Sequence, residues 1–390
     1  MLKREYCGNR PTKLRLRVLD LFVDFFVFIF RKTKHNKYIV PNKILLFNFG
    51  HLGDMLMMSY MINALKNKHP HIEIHIVAGS WCKNLIVNNP LYDKVFFINH
   101  YRTNRSTISI FAKFKLYVND IKTFLAEHKN LYYSHSFDFR YSGYNANLLL
   151  PFLNAEQKIG FGTRGMGSLL DIEYYMLPTP FHSIDQQIQS LRSLGVAQTS
   201  KNIEPILLMP ADEKNTLDIQ KDYFIIFPEA GTKNRMFSNA FWITISDYIL
   251  EKRPDVQIMI CGLTEYSSKL NVELEKKYPG KIIDAVGKLS ILQMIPVLKE
   301  SIGALTLDSF PAHIASTITT TLCLFKEGTG LEYFPINAKP TYIIHDHKYS
   351  KDVKSFREQM TIHYITSLNE RILQKIVTQA MDELFKFKKS

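Results

Sequence analysis

Cysteine is scarce in this sequence of 390 residues, which contains four: Cys7, Cys82, Cys261 and Cys323. They lie far apart and include no Cys-x-x-Cys pair, so neither a zinc site nor a disulfide framework is indicated. Reduced thiols are therefore expected. The sequence also contains no Asp-x-Asp triplet, and we predict that the protein uses no catalytic metal and no bound cofactor.

Long apolar runs, repeats and targeting segments are also missing. A transmembrane helix needs roughly 20 consecutive apolar residues, and aspartates interrupt the one candidate run. No small-residue cleavage site of a secretory signal follows that run. Together with the expected reduced thiols, this predicts a cytoplasmic protein. The hydrophobic fraction of 46% is sufficient for sizeable buried cores, and the length is typical of two domains.

The charge balance is strongly basic. Lys and Arg number 49 against 36 acidic residues, which gives a net charge of +13 and an isoelectric point near 9.3. Such a field favours anionic partners. The basic residues are scattered along the chain, however, and no basic and aromatic module of a DNA or RNA binder occurs. We therefore predict no nucleic-acid partner.

The apolar run at residues 14–30 predicts an amphipathic helix. At about 100° per residue, its charged residues fall on one narrow stripe: Lys13, Arg17, Asp20, Asp24 and Arg31. Apolar residues such as Phe22 and Phe25 cover the remaining surface. Two interpretations stay open: the helix packs on its own domain or on a partner protein, or it lies in a membrane interface beside flanking basic residues.

From residue 43 onward, buried strands alternate with helices in two series, which predicts an α/β fold of two doubly wound, Rossmann-like domains facing a cleft. The predicted segments are a helix and basic linker (1–42), two Rossmann-like domains (43–205 and 206–350) and a C-terminal helical segment (351–390). Ligands of such sheets bind beyond the carboxyl ends of the strands. The loops that follow the strands are therefore the places to look for a site.

Three motifs stand in such loops. Gly50, Gly53 and Asp54 form the turn between the first strand and its helix, where glycine permits close approach of a ligand. The loop 228–238 carries Lys233 and Arg235, and the turn 308–313 opens a helix whose free N–H groups suit a phosphate. Simpler interpretations remain: an aspartate near a helix N-terminus often only caps the helix.

Taken together, these segments resemble the ADP-heptose:lipopolysaccharide heptosyltransferases, which form glycosyltransferase family 9 and have the GT-B fold. The resemblance covers about residues 43–345. The segments that carry it are Lys43–Leu56, Lys66–Pro70, Asn89–Val95, Lys158–Gly165, Pro228–Trp242, Val286–Ser290 and Asp308–His313.

The resemblance implies an inverting, metal-independent transfer of a sugar, best taken as heptose from ADP-heptose, to a lipopolysaccharide-core or other surface saccharide. Domain 43–205 would then bind the acceptor and domain 206–350 the nucleotide sugar. The partners would be a nucleotide sugar and an anionic glycolipid or saccharide. The protein would lie in the cytoplasm or peripherally on the inner face of the cytoplasmic membrane, in contact through residues 14–30.

The resemblance also gives roles to individual residues. Asp54 would be the general base, on the turn formed by Gly50 and Gly53. The donor diphosphate and nucleotide would contact Lys233, Arg235, Asp308, Ser309 and His313. Arg164 is a candidate contact for an anionic acceptor, whereas Arg140 is predicted to be a solvated surface arginine.

Two departures from the family pattern leave alternatives open. Phe310 stands where the family usually has glycine, and Lys326–Thr329 replaces a usual Gly-Pro-Thr. One alternative is a transferase of the same fold that uses another hexose or an N-acetylhexosamine nucleotide. The other is a non-catalytic protein that binds saccharide or acts as a scaffold.

Overall fold

The computed structural model describes residues 4–30, 37–87, 89–176, 181–199, 203, 217, 219, 221–325, 333–335, 341–346, 360–365 and 370–386. The chain divides into two compact units, Met1–Leu208 and Met209–Ser390. The predicted junction at residues 205 and 206 and the departure at Lys326–Thr329 lie outside the described residues.

The described part of the first unit is built on a sheet of six parallel strands in the order β3-β2-β1-β4-β5-β6. The strands are β1 Lys43–Asn48, β2 Glu73–Ala78, β3 Lys94–Phe97, β4 Tyr133–Asp138, β5 Ala155–Phe161 and β6 Ile172–Tyr174. The helices are α1 Arg10–Phe30, α2 Leu52–Lys68, α3 Lys83–Ile86, α4 Ile110–His128 and α5 Ser183–Ile188.

The first strand shows why this sheet is parallel and covered on both faces. Five of its six residues are buried, in the continuous apolar pattern of central parallel strands. Its neighbours fix the register, since Ile44 lies opposite Ile74 on one side and His135 on the other. Ser109 starts α4, because its hydroxyl accepts a hydrogen bond from the Ala112 N–H at 3.2 Å.

The described part of the second unit contains seven parallel strands in the order β13-β12-β11-β10-β7-β8-β9. The strands are β7 Tyr223–Ile226, β8 Gln257–Ile260, β9 Ile282–Asp284, β10 Gly303–Leu307, β11 Thr321–Phe325, β12 Thr341–Asp346 and β13 Met360–Ile365. The helices are α6 Asn239–Lys252, α7 Glu265–Lys277, α8 Ile291–Glu300, α9 Phe310–Ile318 and α10 Glu370–Lys386. The α/β class predicted from the alternation of strands and helices is confirmed in both units.

Both sheets share one topological feature. In each, the first and fourth strands of the unit are neighbours: β1 pairs with β4, and β7 pairs with β10. The chain leaves the first strand to one side and returns to the other, so the loops after these two strands emerge side by side. This switch point is where doubly wound sheets bind ligands.

The C-terminal segment 351–390, predicted to be helical, is corrected by the structure. Residues Met360–Ile365 form strand β13, which continues the sheet parallel to β12. Their sequence, Met-Thr-Ile-His-Tyr-Ile, is rich in the β-branched and aromatic residues that favour strands. The following α10 is helical, and its Leu373 and Val377 are buried in the core of the second unit.

Helix α1 is attached to the first unit at Asp20. The sequence placed this carboxylate on the charged stripe without deciding what the stripe faces; in the structure it is 2% exposed and faces the rest of the first unit. It accepts hydrogen bonds from the Tyr6 hydroxyl at 2.7 Å and the Met166 N–H at 2.5 Å, and pairs with Arg4 at 3.2 Å. Helix α1 therefore docks around Asp20, whereas Lys13 and Arg17 of the same stripe are exposed. Among the described helices, α1 included, none is apolar over a length sufficient to span a bilayer.

Candidate functional site

Asp54 lies at the switch point of the first sheet. It is in the first turn of α2, directly beyond the end of β1, and its side chain is 22% exposed. Its Oδ2 accepts a hydrogen bond from the His51 N–H at 2.8 Å, which is the helix-capping contact considered from the sequence. Its Oδ1 forms an ion pair with Nη1 of Arg140. The carboxylate therefore both caps the helix and contacts the neighbouring loop.

Arg140 is not the solvated arginine that the sequence predicted. Its side chain is 14% exposed, and it lies in the loop that follows β4, beside the loop that follows β1. Asp138, the last residue of β4, fixes this loop because it accepts hydrogen bonds from the backbone N–H groups of Arg140 and Ala146. Burial raises the pKa of Asp138 to about 7. The sequence did not indicate the pairing, because it joins residues distant along the chain.

Two glycines surround the ion pair. A Cβ atom at Gly50 would collide with both Asp54 Oδ2 and Arg140 Nη1. Gly143 has a φ of +79°, and a Cβ there would lie 2.7 Å from Arg140 Nη2. Any side chain at Gly50 would therefore displace the pair. Gly53, the second glycine of the predicted turn, lies within α2, half-buried in its first turn.

The charge state of Asp54 follows from these contacts. Burial by itself raises the pKa of a carboxyl group. The charge of Arg140, with the hydrogen bonds from Arg140 and the His51 N–H, more than offsets burial and holds the pKa of Asp54 below its ordinary value. Asp54 is therefore ionised near neutral pH. A carboxylate has about four lone-pair positions. The contacts with His51 and Arg140 therefore leave Asp54 able to accept a hydrogen bond from one more donor.

A second charge pair lies at the switch point of the second sheet. Arg235 is in the loop after β7, and its Nη1 lies 3.1 Å from Oδ2 of Asp308, the residue that follows β10. The same nitrogen donates to the Asp308 carbonyl at 3.4 Å. Asp308 is nearly buried at 8% exposure, whereas Arg235 keeps 34%, so the guanidinium remains accessible to an anion.

Glu229 fixes the loop that carries Arg235. Its carboxylate accepts hydrogen bonds from the N–H groups of Leu263 and Thr264, at 3.0 and 2.9 Å, and from the hydroxyls of Thr264 and Ser267. Burial tends to raise the pKa of Glu229, but these hydrogen bonds lower it on balance. Glu229 thus occupies the N-terminus of α7 and ties the loop after β7 to the loop after β8.

The remaining predicted residues of the second unit lie around this pair. Lys233 is exposed in a 3-10 turn with Arg235. Ser309 precedes α9, and its hydroxyl donates to the Leu307 carbonyl at 3.3 Å rather than capping the helix. His313 is half-buried in the first turns of α9. The structure thus brings Arg235, Asp308 and the start of α9 together.

Arg164, the candidate acceptor contact, lies against the N-terminal segment. Its Nη1 donates to the Cys7 carbonyl at 3.0 Å, and the Cys7 N–H donates to the Thr163 carbonyl at 2.8 Å. These bonds tie the N-terminal segment to the turn after β5.

In the described residues, no group of three or more His, Cys, Asp or Glu side chains is arranged to hold a metal ion.

The sequence-based prediction missed a set of aromatic and basic side chains in the loops at the same edge of the first sheet as Asp54. They come from the loops after β2, β3 and β4: Trp81, His100, Tyr101, Arg102 and Tyr144. The indole N–H of Trp81 donates to the Gly50 carbonyl at 2.9 Å. A usable signal existed, because each of these side chains follows the end of a predicted strand by only a few residues.

Comparison with known proteins identifies one family. A sequence profile of glycosyltransferase family 9 (heptosyltransferase) matches residues 144–362, more than half of the chain. The matched segment contains every candidate residue of the second unit, whereas Asp54 lies before it. No curated protein sequence matches this chain.

Solved structures give the same fold. The ADP-heptose lipopolysaccharide heptosyltransferase II of E. coli aligns with 89% of this chain and 100% of its own, at a TM-score of 0.66 and 14% identity. A family 9 glycosyl transferase from Veillonella parvula covers 89% and 91% at a TM-score of 0.66 and 12% identity. The E. coli heptosyltransferase WaaC with ADP aligns with 86% of this chain and 99% of its own, at a TM-score of 0.60 and 10% identity. The predicted GT-B fold class is confirmed.

The low pKa of Asp54 should depend on Arg140. Replacing Arg140 with methionine removes the opposing charge but leaves the burial, so we expect the pKa of Asp54 to rise above the ordinary carboxyl value of about 3.9. A carbon-13 NMR titration of the Asp54 carboxyl group measures this. In the native protein, the stabilising contribution of Asp54 is present above its unfolded-state pKa and is lost as the pH falls through its folded-state pKa.

The control is Arg192→Met, which changes an exposed arginine next to the C-terminal end of α2. It should leave the titration of Asp54 as it is in the native protein. If Asp54 titrates identically in Arg140→Met and in the native protein, the proposed electrostatic coupling is wrong.

Proposed function

The chain belongs to glycosyltransferase family 9, the heptosyltransferase family, and on that premise we propose that it transfers heptose from ADP-heptose to a lipopolysaccharide-core or other surface saccharide. The observation that carries the proposal is the ionised Asp54, held at the switch point of the first sheet with spare capacity to accept a proton. Transfer of a sugar to a hydroxyl requires a proton acceptor of this kind.

The proposed reaction is an inverting displacement. Asp54 takes the proton of the acceptor hydroxyl while the oxygen attacks the anomeric carbon of the donor. The bond between that carbon and the nucleotide diphosphate breaks, and the diphosphate leaves with the electron pair. The lowered pKa of Asp54 keeps it in the basic form near neutral pH, and its pairing with Arg140 orients the carboxylate. General-base catalysis is typically worth about 10²–10⁴-fold.

The leaving diphosphate requires positive charge, which we assign to Arg235 and Lys233. Arg235 is oriented by Asp308 and remains one third exposed, and Lys233 shares its turn. Oriented cations stabilise charge that develops on a leaving group. We also propose that the start of α9, with Ser309 and His313, contacts the nucleotide, and that no metal ion takes part.

The identity of the donor sugar has one rival. The sequence departs from the family pattern at Phe310, the first residue of α9, so the backbone there carries a bulky side chain beside the proposed phosphate site. This favours, as the second candidate, a transferase that uses another hexose or an N-acetylhexosamine nucleotide. Both candidates are glycosyltransferases, and the nucleotide that the protein binds distinguishes between them.

We further propose a peripheral position on the inner face of the cytoplasmic membrane, with α1 as the contact. Because α1 docks around the buried Asp20, most apolar side chains of its second half point outward. From Leu21 to Phe30, seven apolar residues are more than half exposed: Leu21, Phe22, Phe25, Phe26, Phe28, Ile29 and Phe30. The first half of the helix exposes the cations Arg10, Lys13, Arg15 and Arg17. This combination suits an anionic lipid surface.

Nucleotide binding tests the donor assignment. Calorimetric titration without metal should give selective binding of ADP over UDP, GDP and CMP, and Arg235→Ala should weaken it about tenfold or more because a charge-assisted contact is lost. The control is Arg253→Ala, at the opposite end of α6, which should not change the affinity. Selectivity for another nucleotide would move the donor to the rival candidate.

Replacement of Asp54 tests the reaction. Asp54→Asn keeps the shape of the side chain but removes its basicity, so kcat for ADP release from ADP-heptose with truncated lipopolysaccharide should fall about 10²–10⁴-fold. The affinity for ADP should stay unchanged. Glu127→Gln, which alters an exposed carboxylate of α4, is the control. A variant that retains native kcat would refute the base assignment.

Sedimentation with vesicles tests the membrane contact. The full chain should sediment with phosphatidylglycerol vesicles, less so at high salt, and weakly with phosphatidylcholine. Phe28→Asp should reduce binding about tenfold, because it places a charge on a side chain that is 85% exposed. Phe152→Asp, at 72% exposure elsewhere in the first unit, should retain binding. Equal loss in both variants, or no binding by the native chain, would contradict the proposal.

A further inference from the structure

Tyr101, Arg102 and Tyr144 form a continuous surface in the first unit, which we call the aromatic ledge. The guanidinium of Arg102 lies over both rings, 5.5 Å from the centre of Tyr101 and 5.8 Å from that of Tyr144. These distances are within the range of about 6 Å for attraction between a cation and an aromatic ring. Arg102 is exposed, and both tyrosines are half-buried.

His100 supports the ledge from beneath. Its buried ring stacks on Tyr101 at 4.9 Å and on Tyr144 at 4.8 Å, and on Phe49 at 5.7 Å. Burial, with the charge of Arg102, lowers the pKa of His100 to about 4, so the ring is neutral near pH 7. A neutral ring can stay buried without a charge partner, which gives the ledge a rigid base.

The ledge adjoins the proposed base. Phe49, which His100 stacks on, directly precedes Gly50, and Gly50 lies against the pair of Asp54 and Arg140. Tyr144 directly follows Gly143, which lies against the guanidinium of Arg140. The loop after β4 thus carries both Tyr144 of the ledge and the Arg140 that pairs with Asp54, and the loop after β3 carries Tyr101 and Arg102.

The surroundings of Asp54 are rich in positive charge. Arg102 and Arg105 are exposed in the loop after β3. The pKa of His51 is lowered, first by burial and then by the charge of Arg105, so Arg105 acts at the turn that holds Asp54. Arg140 is already paired with a carboxylate, whereas the exposed guanidinium of Arg102 contacts the rings of Tyr101 and Tyr144 and hydrogen-bonds to both hydroxyls, to that of Tyr101 at 3.4 Å.

We infer that the aromatic ledge is the acceptor subsite, where a sugar ring packs on Tyr144 and Tyr101 while Arg102 and Arg105 bind an anionic group on that sugar. The inference rests on the proposed function, because it supplies the acceptor whose hydroxyl reaches Asp54. Aromatic faces provide apolar contact for the C–H face of a sugar ring. A stacked, planar guanidinium keeps donors for the paired oxygens of a phosphate or a carboxylate.

Titration with simple glycosides tests the ledge without any nucleotide sugar. The probes are methyl glucoside, methyl glucoside 6-phosphate and methyl glucuronoside. Saturation-transfer NMR measures the binding of each probe to the full chain. We expect at least one charged glycoside to bind about tenfold more tightly than the neutral one. The ranking of the two charged probes identifies the anionic group. Arg102→Gln should abolish the preference, and the distant Arg192→Gln should keep it.

Tyr144→Ala separates ring packing from charge recognition. It should weaken all three glycosides several-fold and alike, with the preference for charge retained, and a thermal melt by circular dichroism checks its folding. Equal binding of charged and neutral glycosides, or the same affinities in Arg102→Gln and Arg192→Gln, would overturn the inference. A failed transfer assay with selective glycoside binding intact would instead count against the proposed function alone.

Discussion

The parallel order of each sheet is the constraint on which the candidate site depends. When the first and fourth strands are neighbours, the loops that follow them emerge together, and residues far apart in the chain meet at their carboxyl ends. In the first unit this brings Arg140 to Asp54, and in the second it brings Asp308 to Arg235. Each meeting forms an ion pair, with the acidic and basic partners exchanged between the two strands.

The exchange of partners has a chemical consequence. At Asp54, the carboxylate is 22% exposed and its cation 14%, so the more accessible member of the pair is the carboxylate that we propose as the base. At Arg235, the carboxylate is the buried member, and the exposed member is the cation. An orienting partner fixes each functional group and limits the entropy it would lose on contact with substrate. Under the proposed function, Asp54 supplies the proton acceptor and Arg235 the anion-binding group that glycosyl transfer requires.

The sequence predicted the components of the site better than their arrangement. Asp54, Arg235 and Asp308 were identified because each lies in the connection between a buried strand and the helix that follows it, or in the first turn of that helix, a position that local periodicity reveals. Arg140 was predicted to be solvated because nothing within its own loop indicates a partner. The aromatic side chains after β2, β3 and β4 were missed although each lies shortly after a strand, because their clustering around His100 depends on which strands are neighbours.

The sequence by itself determined the alternation of strands and helices, the glycine turn before α2 and the charged stripe of α1, because these follow from the spacing of residues along the chain. Only the tertiary structure decided that the stripe faces inward at Asp20, that Met360–Ile365 extends the second sheet and that Asp54 pairs with Arg140. The physical reason is that the exposure and the partners of a side chain depend on contacts between distant segments of the chain. Hydrophobic periodicity shows only which residues lie on the same face of a helix or strand and whether that face is buried.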